Sequence, residues 1–187
     1  QLETADFHSL AFSPTEPSTV FFGHHYGLLI SNDGGKAWQS TSLQNADAMA
    51  LAIPLANPQI MYAAGHGVFV KSSDGGQSWQ EVKTNLPSSD VHGFTVDPQN
   101  PNVVYAHSVG YGVFRSEDGG TTWEPLWSEA PPSVINLGVG EHETLYAAAG
   151  SEGLWQSRNG GQSWQKVQTP EAGAIAVSYE PTRKRLF

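Results

Sequence analysis

The 187 residues carry nine Lys and Arg against eighteen Asp and Glu, a formal charge of −9. That balance excludes the basic stripe that nucleic-acid binding needs and suits an anionic membrane poorly. The chain has no cysteine, hence neither disulfide framework nor thiolate chemistry, and no apolar run of about 18 residues to span a membrane.

Twenty glycines, twelve prolines and twenty aromatic Trp, Tyr and Phe residues suit many short strands joined by tight turns. In chain order, the runs 8–13, 19–24, 27–31 and 38–42 read as four strands. The same four roles fall to 49–53, 60–65, 67–72 and 79–82, then to 92–96, 103–108, 112–116 and 123–126, then to 135–139, 144–149, 153–157 and 164–167. Each run is rich in Val, Ile, Leu, Phe and Tyr. The first and second strands of a unit are joined by Pro-rich turns: SPTEPS, PLANPQ and DPQNPN.

Between the third and fourth strands the chain repeats itself most closely: SNDGGKAW, SSDGGQSW, SEDGGTTW and SRNGGQSW. The leading serines, Ser31, Ser72, Ser116 and Ser157, stand 41, 44 and 41 residues apart. A period near forty with four strands per unit predicts propeller blades. The paired glycines permit positive φ in a hairpin turn. Asp33, Asp74, Asp118 and Asn159 are placed to accept the turn's own N–H groups, and Trp38, Trp79, Trp123 and Trp164 to plug the space between neighbouring hairpins.

These four stretches resemble the Asp-box, or BNR repeat, which is similar across sialidases, sortilin-type receptors, xyloglucanase-type endoglucanases, a photosystem II assembly factor and bacterial exported BNR-repeat proteins named glycosyl hydrolase-like. Ala37 in place of Ser or Thr, and Asn159 in place of Asp, are the departures. The resemblance implies an all-β fold, a β-propeller of four-stranded antiparallel blades at about 6–43, 47–84, 90–128 and 133–169, within a single domain spanning 1–187. It also implies that the box is structural and lies away from any active site.

Residues 171–187 read as the start of a fifth blade, with 174–179 its first strand and 183–187 its second. Gln1 reads as the start of a mature, trimmed chain. We expect the ring to continue beyond these residues, to six to eight blades with seven the expected number. The other arrangements are a five-bladed ring completed by a second chain and a closed four-bladed ring with a tail.

Propeller connectivity sends the boxes to one face and the turns between second and third strands to the other. Six of seven histidines fall on that second rim: His8 and His92 near first strands, and His24, His25, His66 and His107 near the turns; His142 does not. Asp6, Asp47 and Asp90 lie two residues before His8, Met49 and His92, a spacing that puts both side chains on one side of a strand.

Three readings compete. The six rim histidines form a zinc or copper site, with Asp6, Asp90 and the softer Met49 alongside. Alternatively, these polar groups only hydrogen-bond neighbouring blades and water; their absence from the fourth unit, which has Ser133, Asn136 and Ala149, argues for one localised site instead. Third, Asp6, Asp47 and Asp90 supply a carboxylate pair for glycoside hydrolysis. A sialidase is a poor match: Arg115 and Arg158 sit beside boxes, Arg183 and Arg185 at the end, and the Arg-Ile-Pro motif is missing. Tyr26, Tyr111 and Trp127 are candidates to line a ligand surface.

The expected function is an exported, extracellular or periplasmic, non-catalytic binding or assembly propeller. Its rim carries a metal-binding His/Asp site and takes a protein or glycan ligand. A carbohydrate-active hydrolase is the alternative.

Overall fold

The computed structural model describes residues 6–126, 131, 133–170, 173–180 and 183–187; Trp127 lies outside them. The first unit is β1 (Ser9–Phe12), β2 (Val20–His24), β3 (Gly27–Ser31) and β4 (Gln39–Gln44). The second is β5 (Ala50–Ala52), β6 (Met61–Gly65), β7 (Val68–Ser72) and β8 (Gln80–Glu81). The third is β9 (Val91–Val96), β10 (Val104–Ser108), β11 (Gly112–Ser116) and β12 (Glu124–Pro125). The fourth is β13 (Asn136–Val139), β14 (Leu145–Ala148), β15 (Leu154–Ser157) and β16 (Gln165–Lys166), followed by the hairpin β17 (Tyr179–Glu180) and β18 (Arg185–Leu186). Each unit is one antiparallel sheet with its strands in chain order.

The first strands of successive sheets, β1, β5, β9 and β13, neighbour one another in that order. Together with the fifth unit they line one channel of about 580 Å³, to which Leu10, Ala52, Phe94, Leu137, Val177 and Phe187 contribute. Sheets set radially about a shared channel are propeller blades. Among the described residues no helix is long and apolar enough to cross a membrane.

The box turns are built alike. In the second, the Ser72 hydroxyl donates to Asp74 Oδ1 (2.7 Å) and accepts from the Gly76 N–H (2.8 Å). The Ser78 N–H and hydroxyl both donate to the Asp74 carboxylate (2.8 and 2.6 Å), and Trp79 Nε1 donates to the Gly76 carbonyl (3.2 Å). Gly75 and Gly76 hold φ of 72° and 88°, the region where a Cβ is penalised. The Ser78 hydroxyl, and after it the backbone N–H of Ser78, hold the Asp74 carboxyl down at about 2. The Thr122 hydroxyl does the same for Asp118. Ala37 has no hydroxyl, so Asp33 is lowered by the Ala37 N–H and Ser31 instead.

A depressed folded pKa means that the stability Asp74 contributes is complete above its ordinary 3.8 and is lost as pH falls through about 2. Ser78→Ala will raise the Asp74 pKa toward 3.8, read by carboxyl NMR titration. An unchanged value would remove the hydroxyl as the main cause.

Blades meet through aromatic side chains. Between the second and third, Phe69 lies 5.5 Å from Phe94 and 5.8 Å from Trp123, ring centre to ring centre. The Trp123 indole donates to the Gly120 carbonyl (2.7 Å), so the third box presses on the face of the second blade. Tyr62 is fully buried there, and its hydroxyl donates to the Pro101 carbonyl (2.9 Å). Burial, and then the charge of Asp118, push its phenol up to about 12.

The structure differs from the strand limits read in the sequence at two kinds of place. The outer strands β8, β12 and β16 have two residues each; the Trp that opens each of these runs in the sequence lies before the strand. One more pairing bond follows each, from the N–H of Val82, Leu126 and Val167. In the fifth unit, 174–177 do not start a regular strand. Ala174 exchanges two backbone bonds with Gly150 (2.7 and 2.9 Å), and the Val177 N–H donates to Asn136 Oδ1 (2.9 Å). Pairing within that unit begins at Ser178 with Phe187.

Candidate metal centre

The rim residues are positioned by contacts between one blade's turn and the next blade's lead-in. His24 ends β2 and His25 opens the turn after it, and the His24 carbonyl accepts the N–H of Ala48 (3.3 Å). Ser9 of β1 donates its hydroxyl to the Ala48 carbonyl (2.9 Å). After β6, His66 forms an isolated bridge with Asp90, and the Gly67 N–H donates to the Ser89 carbonyl (2.9 Å). Within the second blade, Gly65 lets the lead-in to β5 pass close to the end of β6: a Cβ there would overlap the Asp47 carbonyl oxygen and crowd the Met49 nitrogen.

Two triangles of donor atoms result. In the first, His8 Nε2 is 3.1 Å from His25 Nδ1 and 3.7 Å from Asp47 Oδ1, and His25 Nδ1 is 3.1 Å from the same oxygen. In the second, His66 Nε2 is 3.1 Å from His92 Nε2 and 3.4 Å from Asp90 Oδ1, and His92 Nε2 is 3.1 Å from that oxygen. Within each group all three donor atoms lie within 4.8 Å of one another. The triangles touch: His66 Nδ1 is 2.7 Å from Asp47 Oδ2.

Burial pushes the Asp47 carboxyl up. The hydrogen bond from His66, the close approach of His25, and the nearby charge of His25 and His8 outweigh that and hold it below the ordinary range. Yet Asp47 Oδ1 and Asp90 Oδ1, one in each triangle, are shielded from solvent and receive no hydrogen bond of good geometry. Buried carboxylate oxygens are normally satisfied; these two are exceptions among the described residues.

The other rim candidates lie elsewhere. Asp6 belongs to neither triangle. His24 sits 6.1 Å from the rings of both Phe22 and Tyr26, on the side of its strand away from His25. His107 pairs with Val113 inside β10 and is buried; all five residues of that strand are buried, so neither of its faces reaches the rim. Met49 lines the channel, and Tyr26 and Tyr111 are exposed. In the fourth blade Asn136 is occupied with the Val177 N–H and Ala149 is buried; among the described residues the imidazole–carboxylate clusters fall in the first three blades. Gly65 is not among the candidate site residues read in the sequence, because it reads there only as the last residue of the run 60–65; its role depends on the lead-in to β5 of the same blade, far from it in sequence.

Blades, box turns and channel define the class: an Asp-box β-propeller. The family model described as Sortilin, neurotensin receptor 3 (Sortilin-Vps10) matches residues 66–170, more than half of the chain, which belongs to that family. No curated protein sequence matches it. Among solved structures, an ancestral GH74 enzyme is similar over 98% of this chain and 28% of its own, at 22% identity and a TM-score of 0.72. YCF48 bound to D1 peptide is similar over 100% and 62%, at 18% identity and 0.69. A chain of the nidogen/laminin complex is similar over 93% and 68%, at 11% identity and 0.74. The chain thus spans 28% and 62% of the first two, less than two thirds of each, and at these identities the likeness is one of fold.

Proposed function

We propose that the chain is a non-catalytic binding and assembly propeller that acts outside the cytoplasm and presents a transition metal, zinc or copper, at one mouth of its channel. The observation that carries this is the spacing of the donors. Zinc bonds of about 2.0–2.1 Å at tetrahedral angles set donor atoms about 3.3 Å apart. The triangles, with edges of 3.1, 3.1 and 3.7 Å and of 3.1, 3.1 and 3.4 Å, bracket that distance without rearrangement. Imidazole with carboxylate suits zinc and copper. Three protein donors leave a position where a protein or glycan ligand supplies the next.

Structural neighbours that carry a peptide or a protein partner support a binding role, and the receptor named in the family description supports an extracellular or periplasmic location. The hydrolase alternative has less in its favour. The His66 ring stands between Asp47 and Asp90, at 2.7 and 3.4 Å, where a glycosidic bond between two carboxylates would have to lie.

Metal-stripped protein prepared without a histidine tag will retain zinc or copper after equilibrium dialysis. A His25→Ala/His92→Ala variant, altered at the rim alone, will lose it. Absence of either metal from the unaltered chain overturns the proposal.

A further inference from the structure

We infer that the channel mouth is a two-ion centre in which Asp47 serves both ions, as a ligand to the first and as the residue that positions a ligand of the second. The inference rests on the metal reading above and adds the number of ions and their coupling. His8 Nε2, His25 Nδ1 and Asp47 Oδ1 converge on one point; His66 Nε2, His92 Nε2 and Asp90 Oδ1 converge on another. No donor atom is common to both groups. Each group also has its own shielded carboxylate oxygen without a hydrogen bond, Asp47 Oδ1 in one and Asp90 Oδ1 in the other. A single ion would satisfy one of these and leave the second orphaned.

The link between the groups has a definite chemical sense. Asp47 Oδ2 lies 2.7 Å from His66 Nδ1. An ionised carboxylate only accepts, so His66 Nδ1 carries the proton and donates it. The ring is thereby fixed in the tautomer whose lone pair is on Nε2, the atom that faces His92 and Asp90. A carboxylate behind a ligating imidazole orients the ring and strengthens it as a donor, and removing such a partner typically costs about 10–100-fold in metal affinity. His92 then supplies the N–H between the two Nε2 atoms in the metal-free molecule. On binding, that proton moves to Nδ1 of His92, and the imidazole remains neutral.

Two consequences follow from sharing one carboxylate. An ion on Asp47 Oδ1 draws charge from Oδ2 and weakens its hold on the His66 proton, and two dications repel through the ring and carboxylate that separate them. The second ion therefore binds more weakly than the first. Asp47 is also the single residue whose loss is felt at both positions.

The test is a zinc titration of the full metal-free chain against a chromophoric chelator, with cobalt absorption as a second readout. The unaltered chain will take two ions with unequal affinities. His8→Ala and His92→Ala will each take one. Asp47→Ala will lose the first ion and bind the second about 10–100-fold more weakly. Asp47→Asn, whose side-chain oxygen still accepts from His66, will lose the first and keep the second within a few-fold. The Trp emission of each variant will show that the blades remain folded. One ion per chain overturns the two-ion centre and leaves the metal reading standing. Two ions with Asp47→Ala and Asp47→Asn identical at the second position overturn the role of Asp47. No ion at all overturns both.

Discussion

Gly120→Ala will destabilise the chain by about 2–5 kcal/mol, the sum of a left-handed backbone penalty and an overpacked contact. Gly120 has a φ of +91°, and a Cβ built on it would drive into the Phe69 ring. That ring cannot retreat: Phe94, Tyr62 and Trp123 flank it at 5.5, 6.2 and 5.8 Å. The third box and the face of the second blade therefore resist the same added methyl. Gly34→Ala is the control. Its φ is +75°, and nothing lies within 4 Å of the added carbon, so only the backbone part, about 1–2 kcal/mol, is expected. Urea unfolding followed by Trp fluorescence reads both. Equal losses would show that the interface between blades contributes nothing to the cost.

Gly65→Ala will separate the site from the fold. A Cβ at Gly65 would overlap the Asp47 carbonyl and crowd the Met49 nitrogen, so the lead-in to β5 must move away from β6. Asp47 contacts His8, His25 and His66 and loses its placement against all three. We expect metal affinity to fall by about 10-fold or more and stability by about 1–3 kcal/mol. At Gly67, two residues on, an added Cβ meets nothing within 4 Å; Gly67→Ala pays only for its positive φ and will leave affinity within a few-fold. Chelator competition on both variants decides the matter. Unchanged affinity in Gly65→Ala would mean that the close passage of the two segments does not set the cluster.

The blades were legible in the sequence because their defining geometry is local. Ser72, Asp74, Gly76 and Trp79 close their own turn within eight residues, so four similar stretches declare four similar turns. The rim histidines were legible in part: His25 and His66 follow β2 and β6 directly, and that position follows from strand limits. His107 shows where that reasoning stops. It lies near a turn in sequence, yet it pairs with Val113 inside β10, a strand buried along its whole length, so it belongs to the core. The joint role of Asp47 was least legible. Its neighbours come from the first blade and from the far end of its own, and they meet only because a glycine lets the backbones pass. In the sequence Asp47 matched Asp6 and Asp90 in position, yet the rim site read there took Asp6, Asp90 and Met49, because Asp47 precedes a methionine where the other two precede a histidine; the structure groups Asp47 and Asp90 with the imidazoles instead.

Anomalous diffraction from crystals of the full chain grown with zinc, measured on both sides of the zinc absorption edge, addresses the channel mouth most directly. Two peaks are predicted, one among His8, His25 and Asp47 and one among His66, Asp90 and His92. Absence of any peak at that mouth, or a single peak at the opposite end of the channel beside His142, would contradict it.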